Sequence, residues 1–175
     1  MSNVNYLIHF VILAILQIVI VDNIHIGSYF YINIYILAIF ILPYKVKGIP
    51  LLLFGFLLGF LMDLADNTVG IHAAASTFLA YLRPRLLLLT STREELDEAH
   101  GTLRLDDFRW FFKYSFLSTL FFNIVLIFAE AFTFNDITIT LIRIILSTFI
   151  SMLFILLYYF LGIKKVQQER IVRFN

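Results

Sequence analysis

Residues 54–82 read FGFLLGFLMDLADNTVGIHAAASTFLAYL, two apolar runs joined by one short polar turn. Gly55 and Gly59 are one helical turn apart and Asp63 is one turn further, so all three share a single stripe if the first run is a helix. A glycine stripe lets a second backbone approach closely, and Ala73, Ser76, Thr77 and Ala80 supply small side chains at matching spacing on the second run. The window therefore predicts a tightly packed helical hairpin, joined through Asp66-Asn67-Thr68-Val69-Gly70, with an acidic group at its turn end.

The same alternation of long apolar runs and brief polar breaks extends along the whole chain. Of its 175 residues, 61% are hydrophobic and 17% aromatic, more than a soluble core can absorb, and the excess is assigned to lipid. Hydropathy places spans at 4–21, 29–42, 49–64, 69–82, 108–128 and 137–161, most of them short against the roughly 20 residues that a helix needs to cross a bilayer. The expected fold class is all-α, a polytopic membrane protein of about six transmembrane helices. The whole chain, 1–175, reads as one transmembrane domain with a loop at 83–107 and a tail at 164–175. Pro84 is expected to stop the fourth span. The opening residues lack a basic n-region, so the first span reads as retained and not as a cleaved signal.

Six spans place both termini on one side. Under that topology every Lys and Arg except Arg143 falls on one face: Lys45 and Lys47 after the second span, Arg83, Arg85, Arg93, Arg104, Arg109 and Lys113 around the fourth and fifth, and Lys164, Lys165, Arg170 and Arg173 in the tail. The positive-inside rule makes that face cytoplasmic. The opposite turns are short and carry Asp22, Asn23, His25, Asp63, Asp66, Asn67, Glu130, Asn135 and Asp136. Trp110, Tyr114, Tyr44, Tyr158 and Tyr159 are expected near the inner interface, and Tyr29, Tyr31 and Tyr35 near the outer one. Within the loop, Ser91-Thr92-Arg93-Glu94 has capping-box spacing and predicts a short helix whose charges form a solvated face.

Few residues point to chemistry. The absence of cysteine excludes disulfides, thiolate nucleophiles and cysteine-ligated metals. His9, His25, His72 and His100 lie on different segments with no ligand spacing, so no metal and no cofactor is expected, and His72 reads as a capping or interhelical hydrogen bonder. Two aspartates at 63 and 66 are too few for a two-metal phosphotransferase, and the sequence contains neither a nucleophile elbow nor a phosphate-cradling glycine loop. Asp63 reads either as an amide cap in the turn or as a buried functional carboxylate. Arg143, the one cation in an outer half-span, either pairs with Asp63, Glu130 or Asp22 or snorkels to the interface. The polar groups expected at the outer end are thus Asp63, Asp66, His72 and Arg143. The stripe of Gly55, Gly59, Ala73, Ser76 and Ala80 serves internal helix packing or forms a partner's groove.

The run Gly55-Phe56-x-x-Gly59-x-x-x-Asp63, then Gly70-Ile71-His72-Ala73, then Ala80-Tyr81-Leu82 before the basic Arg83 and Arg85 resembles the MreD family of rod shape-determining membrane proteins. The specific motif covers about a fifth of the chain, while length, span number and short outer turns are similar throughout. Ser28-Tyr29 departs from the family pattern by standing where a proline is frequent. The resemblance implies a non-enzymatic, multi-pass scaffold of the bacterial cytoplasmic membrane that organises cell-wall elongation. Its implied partner is MreC, with MreB, RodA and a class B penicillin-binding transpeptidase further along the complex, membrane lipid around it, no nucleic acid, and self-association possible. The family is also similar in fold to the substrate-binding subunits of energy-coupling-factor vitamin transporters, which is the alternative function.

Overall fold

The computed structural model describes residues 3–21, 30–98, 107–131 and 136–163. Asp22, Asn23, His25, Tyr29, His100, Arg104, Asn135 and the tail at 164–175 lie outside the described residues, as does part of the loop. Among the described residues the structure is helical with no strand: α1 (Asn3–Leu16, continued by a π turn, Gln17–Val21), α2 (Leu37–Phe40), α3 (Ile49–Asp66), α4 (Ile71–Thr90), α5 (Arg93–Glu98), α6 (Phe108–Ala131) and α7 (Ile137–Tyr158, continued by a second π turn, Tyr159–Ile163). Each long helix packs chiefly on its neighbour in the chain, α3 on α4, α4 on α6 and α6 on α7.

Polarity is inverted relative to a soluble bundle. Helix α7 buries Thr140, Ser147, Thr148 and Ser151, and it exposes Leu141, Ile142, Ile145, Leu146, Phe149, Leu153 and Leu157. Helix α3 likewise exposes Leu53, Phe56, Leu57, Phe60, Leu61 and Leu64. In water such a continuous apolar exterior would cost about 25 cal/mol for each Å² left uncovered, so its solvent is hydrocarbon. Three helices are long and apolar enough to cross a membrane, Ile49–Asp66, Phe108–Ala131 and Ile137–Leu161, with a shorter apolar helix at Ile8–Val19. Helix α4 is less apolar and lies between α3 and α6, where protein covers it on two sides.

The second expected span is not a helical span. Residues 30–34 have no helical hydrogen bonding, and only Leu37–Phe40 forms a single turn of helix. The segment nevertheless traverses much of the bundle. Tyr31 bonds to Glu130 near the end of α6, Asn33 to Asn123 two turns further in, Phe40 packs on Tyr114 with ring centroids 5.7 Å apart, and the Leu42 carbonyl meets Arg83. Extended chain advances about 3.3 Å per residue against 1.5 Å in a helix, so a run too short to cross as a helix gains reach by unwinding. Residues 32–42 are all buried, which places this chain at the centre of the fold and not against lipid.

Two other expectations are corrected. Pro84 does not stop the fourth span: α4 continues through it to Thr90, so residues 83–90 of the expected loop are helix. A proline is tolerated there because packed neighbours can hold a transmembrane helix across one missing backbone bond. Four of the aromatics expected at interfaces are core residues instead: Trp110 is buried and donates its ring N–H to Ser91, and Tyr35, Tyr114 and Tyr159 are fully enclosed. The expected short helix is present as α5, with its capping box one residue later than read: the Glu95 amide donates to Thr92 Oγ1 at 3.2 Å, and the Thr92 amide donates to Glu95 Oε2 at 2.9 Å.

Candidate functional site

The α3–α4 hairpin is closed by contacts that only glycine permits. A Cβ at Gly55 would lie 2.8 Å from both the Ala80 Cβ and the Ser76 carbonyl oxygen, and one at Gly59 would lie 2.6 Å from the Ala73 Cα and overlap the His72 carbonyl. Gly55, Gly59, Ala73, Ser76 and Ala80 therefore form the internal seam of the hairpin, and at the two glycines it is filled by the backbone and small side chains of α4. The turn completes it: Asn67 and Gly70 both take left-handed conformations, with φ of 55° and 79°.

Asp63 is both buried and a cap. Its side chain reaches across the turn to the opening amides of α4, with Oδ1 accepting from His72 N at 3.0 Å and Oδ2 from Ala73 N at 2.8 Å, while Thr68 Oγ1 also donates to Oδ1. A helix N-terminus leaves unpaired N–H groups and a partial positive charge, and this carboxylate answers both from the preceding helix. His72 then extends the cluster in two directions. Its Nε2 lies 3.4 Å from Asp66 Oδ2, and its Nδ1 is hydrogen-bonded to the Tyr35 hydroxyl at 2.9 Å. Ser76 Oγ donates weakly to the same hydroxyl at 3.5 Å. Asp63, Asp66 and His72 are thus one assembly tied to the central segment.

Arg143 adds a second ion pair to these outer-end polar groups. It pairs with Glu130 at 2.8 Å, one of the acids expected for it, and its guanidinium lies 5.7 Å from the Tyr31 ring centroid. Tyr31 donates its hydroxyl to the same Glu130 carboxylate. The ion pair joins α6 to α7 and clasps the start of the central segment between them.

The central segment depends on Gln17, Ser147 and Ser151, which were not singled out as site residues from the sequence. Non-helical backbone inside a membrane protein must find partners within the protein. Gln17 supplies two, donating to the Ile32 carbonyl at 2.8 Å and accepting from the Ile34 amide at 2.9 Å. Helix α7 supplies the others: Tyr31 N donates to Ser147 Oγ at 3.0 Å and Asn33 N to Ser151 Oγ at 2.9 Å. The Asn33 amide bonds to Asn123 at 3.1 Å, which in turn donates to Thr148 at 3.2 Å. Ser147 and Ser151 are one helical turn apart, and so are spaced to meet alternate residues of an extended strand. That spacing was a signal present in the sequence, and so was a lone Gln in an apolar helix.

On its lipid side the hairpin leaves an apolar groove of about 950 Å³, floored by Gly70, Ala73, Ala74 and Thr77 and walled by Phe56, Phe60, Phe78 and Tyr81. Among the described residues no group of three or more His, Asp or Glu is placed to hold a metal ion. These features define a membrane protein with an apolar shell and hydrogen-bonded polar groups set within an apolar core. No family model, curated protein or solved structure matches the chain.

Proposed function

We propose that this chain is a non-enzymatic membrane scaffold of the MreD kind, crossing the bacterial cytoplasmic membrane six times with both termini inside, and that it organises cell-wall elongation by holding the membrane helix of MreC. Five of the six crossings are the long helices, and the sixth is the central segment at 30–42. The observation that carries the proposal is the fate of the motif residues. Gly55, Gly59 and Ala73 close the α3–α4 seam and Asp63 caps α4, so the motif builds one rigid hairpin. Phe56, Gly70, Ala73 and Tyr81 of the same motif line the groove on its lipid face. In a bilayer, small residues at the floor of a groove favour close helix docking. On this reading MreB, RodA and the class B transpeptidase assemble through MreC and the basic face.

Affinity purification of the tagged full chain from its native membrane in mild detergent tests the reading. Recovery of an MreC-type bitopic protein is expected. Ala74→Phe, which fills the floor of the groove from an exposed position, should abolish that recovery while expression and insertion persist. Recovery of an ATPase pair with a coupling subunit would replace the scaffold by the vitamin-transporter reading.

A further inference from the structure

Helix α4 has a hollow on each side, and the two differ in charge. The groove against α3 has Asp63 at its turn end and no cation in its lining. Against α6, at the far end of α4, a smaller crevice of about 340 Å³ is lined by Leu89 and Thr90 from α4 and by Phe112, Lys113, Phe116 and Leu117 from α6. The bond from the Trp110 ring N–H to Ser91 Oγ fastens the end of α4 to the first turn of α6 and sets these side chains against one another. Leu89, Phe112 and Lys113 are exposed, so the crevice opens on the outside of the bundle.

Its lining contains a cation and no acid. Thr90 donates its hydroxyl to the Leu86 carbonyl at 3.0 Å, which leaves the Lys113 ammonium as the donor that the crevice offers to a ligand. Among the described residues no acidic side chain forms an ion pair with Lys113. Asp107, the nearest described acid in sequence, accepts from the opening amides of α6, Arg109 N at 2.9 Å and Trp110 N at 3.3 Å. Two further exposed cations flank the crevice, Arg109 one turn before Lys113 on α6 and Arg85 one turn before Leu89 on α4. Lys113 is five residues into α6, about 8 Å by helical rise, a depth from which a lysine stem can carry its charge to the membrane surface.

We infer that this crevice is a binding site for one anionic phospholipid from the leaflet on the basic face, with its phosphate at Lys113 and an acyl chain against Leu89, Phe112, Phe116 and Leu117. Charge and apolarity together select that occupant. A soluble anion would answer Lys113 and leave the aromatic and leucine walls uncovered, whereas an apolar helix would cover the walls and enclose an unpaired ammonium at a cost. An anionic lipid has both parts in the required order, and basic pockets between transmembrane helices are where such headgroups lodge. The site is separate from the α3–α4 groove and does not depend on the scaffold reading.

The test uses the full chain in a maltoside detergent, washed free of lipid and titrated with phosphatidylglycerol, with phosphatidylcholine of the same acyl chains, and with glycerol phosphate. Native mass spectrometry counts bound molecules, and circular dichroism melting confirms that each variant is folded. One phosphatidylglycerol per chain is expected, at a concentration about tenfold below that needed for phosphatidylcholine. Lys113→Gln should weaken its binding about fivefold, the order contributed by one cation near a membrane surface. Leu89→Trp, at an exposed position, fills the crevice and should abolish the bound lipid. Lys47→Gln, which removes a cation of the same face that lies over the Tyr44 ring and outside the crevice, should leave it unchanged. Equal binding of the two lipids, a Lys113→Gln effect no larger than that of Lys47→Gln, or a lipid retained in Leu89→Trp would overturn the site. Binding of glycerol phosphate as tight as that of phosphatidylglycerol would overturn it in favour of a soluble anion, and a dimer lost in Leu89→Trp would overturn it in favour of a second copy of the chain.

Discussion

The two halves of helix α4 solve the same problem in opposite ways. Its first turn, at Asp63 and His72, contains two acids, a histidine, a tyrosine and open backbone amides, and each has a partner within the chain. In its second half the Arg83 Nε, like four buried hydroxyls of the neighbouring α6, has no hydrogen-bond partner of good geometry among the described residues. In a membrane the first arrangement is what structure alone requires, because an unpaired polar group in an apolar surrounding costs a few kcal/mol. The contrast teaches that polarity in the core of this bundle is of two kinds. One kind is fully hydrogen-bonded and fixes the turn, and the other is enclosed with part of its hydrogen-bonding capacity unused.

Substitutions at the two ends should separate these kinds. The largest effect is expected at the seam below Asp63, where Gly59→Leu forces α3 away from the backbone of α4 and should cost about 3 kcal/mol or more, read as loss of cooperative unfolding in detergent. Asp63→Ala leaves the His72 and Ala73 amides and the Thr68 hydroxyl without their acceptor and should cost about 2 kcal/mol by the same assay, with Asp63→Asn recovering part of it through one remaining oxygen. Arg143→Leu breaks a partly exposed pair and should cost roughly 1 kcal/mol; adding Glu130→Gln should return part of that loss, because the orphaned carboxylate is the larger component. At the other end, Tyr114→Phe should change stability by less than about 0.5 kcal/mol, since it deletes a hydroxyl with no hydrogen bond of good geometry. A loss at Tyr114 as large as that at Asp63 would erase the distinction between the two halves.

A second contrast, between the α3–α4 hairpin and the central segment, shows what could be read in advance. The hairpin is local: glycine spacing, the polar turn and the carboxylate one turn beyond Gly59 all lie within about thirty residues, and each has the role that spacing predicts. Asp63 even joins the two readings open to it, since the capping carboxylate is itself buried. The central segment is not local. Hydropathy registers that residues 29–42 are apolar but is blind to their backbone conformation, and the groups that make an extended chain tolerable there come from Gln17, more than a dozen residues before, and from Ser147 and Ser151, more than a hundred residues after.

Composition and periodicity by themselves determined that the chain is an all-helical membrane protein, where its long helices lie, and that α3 and α4 pack through small residues. These follow from side-chain apolarity and from helical spacing, which a linear sequence displays directly. Only the tertiary structure decided that the second apolar run begins as extended chain, that α4 runs through Pro84, that Arg143 pairs with Glu130, and that Arg83 is enclosed and not in a loop. Each of those depends on which distant groups meet in space, and hydrogen-bond satisfaction inside a bilayer is settled by the assembled bundle as a whole.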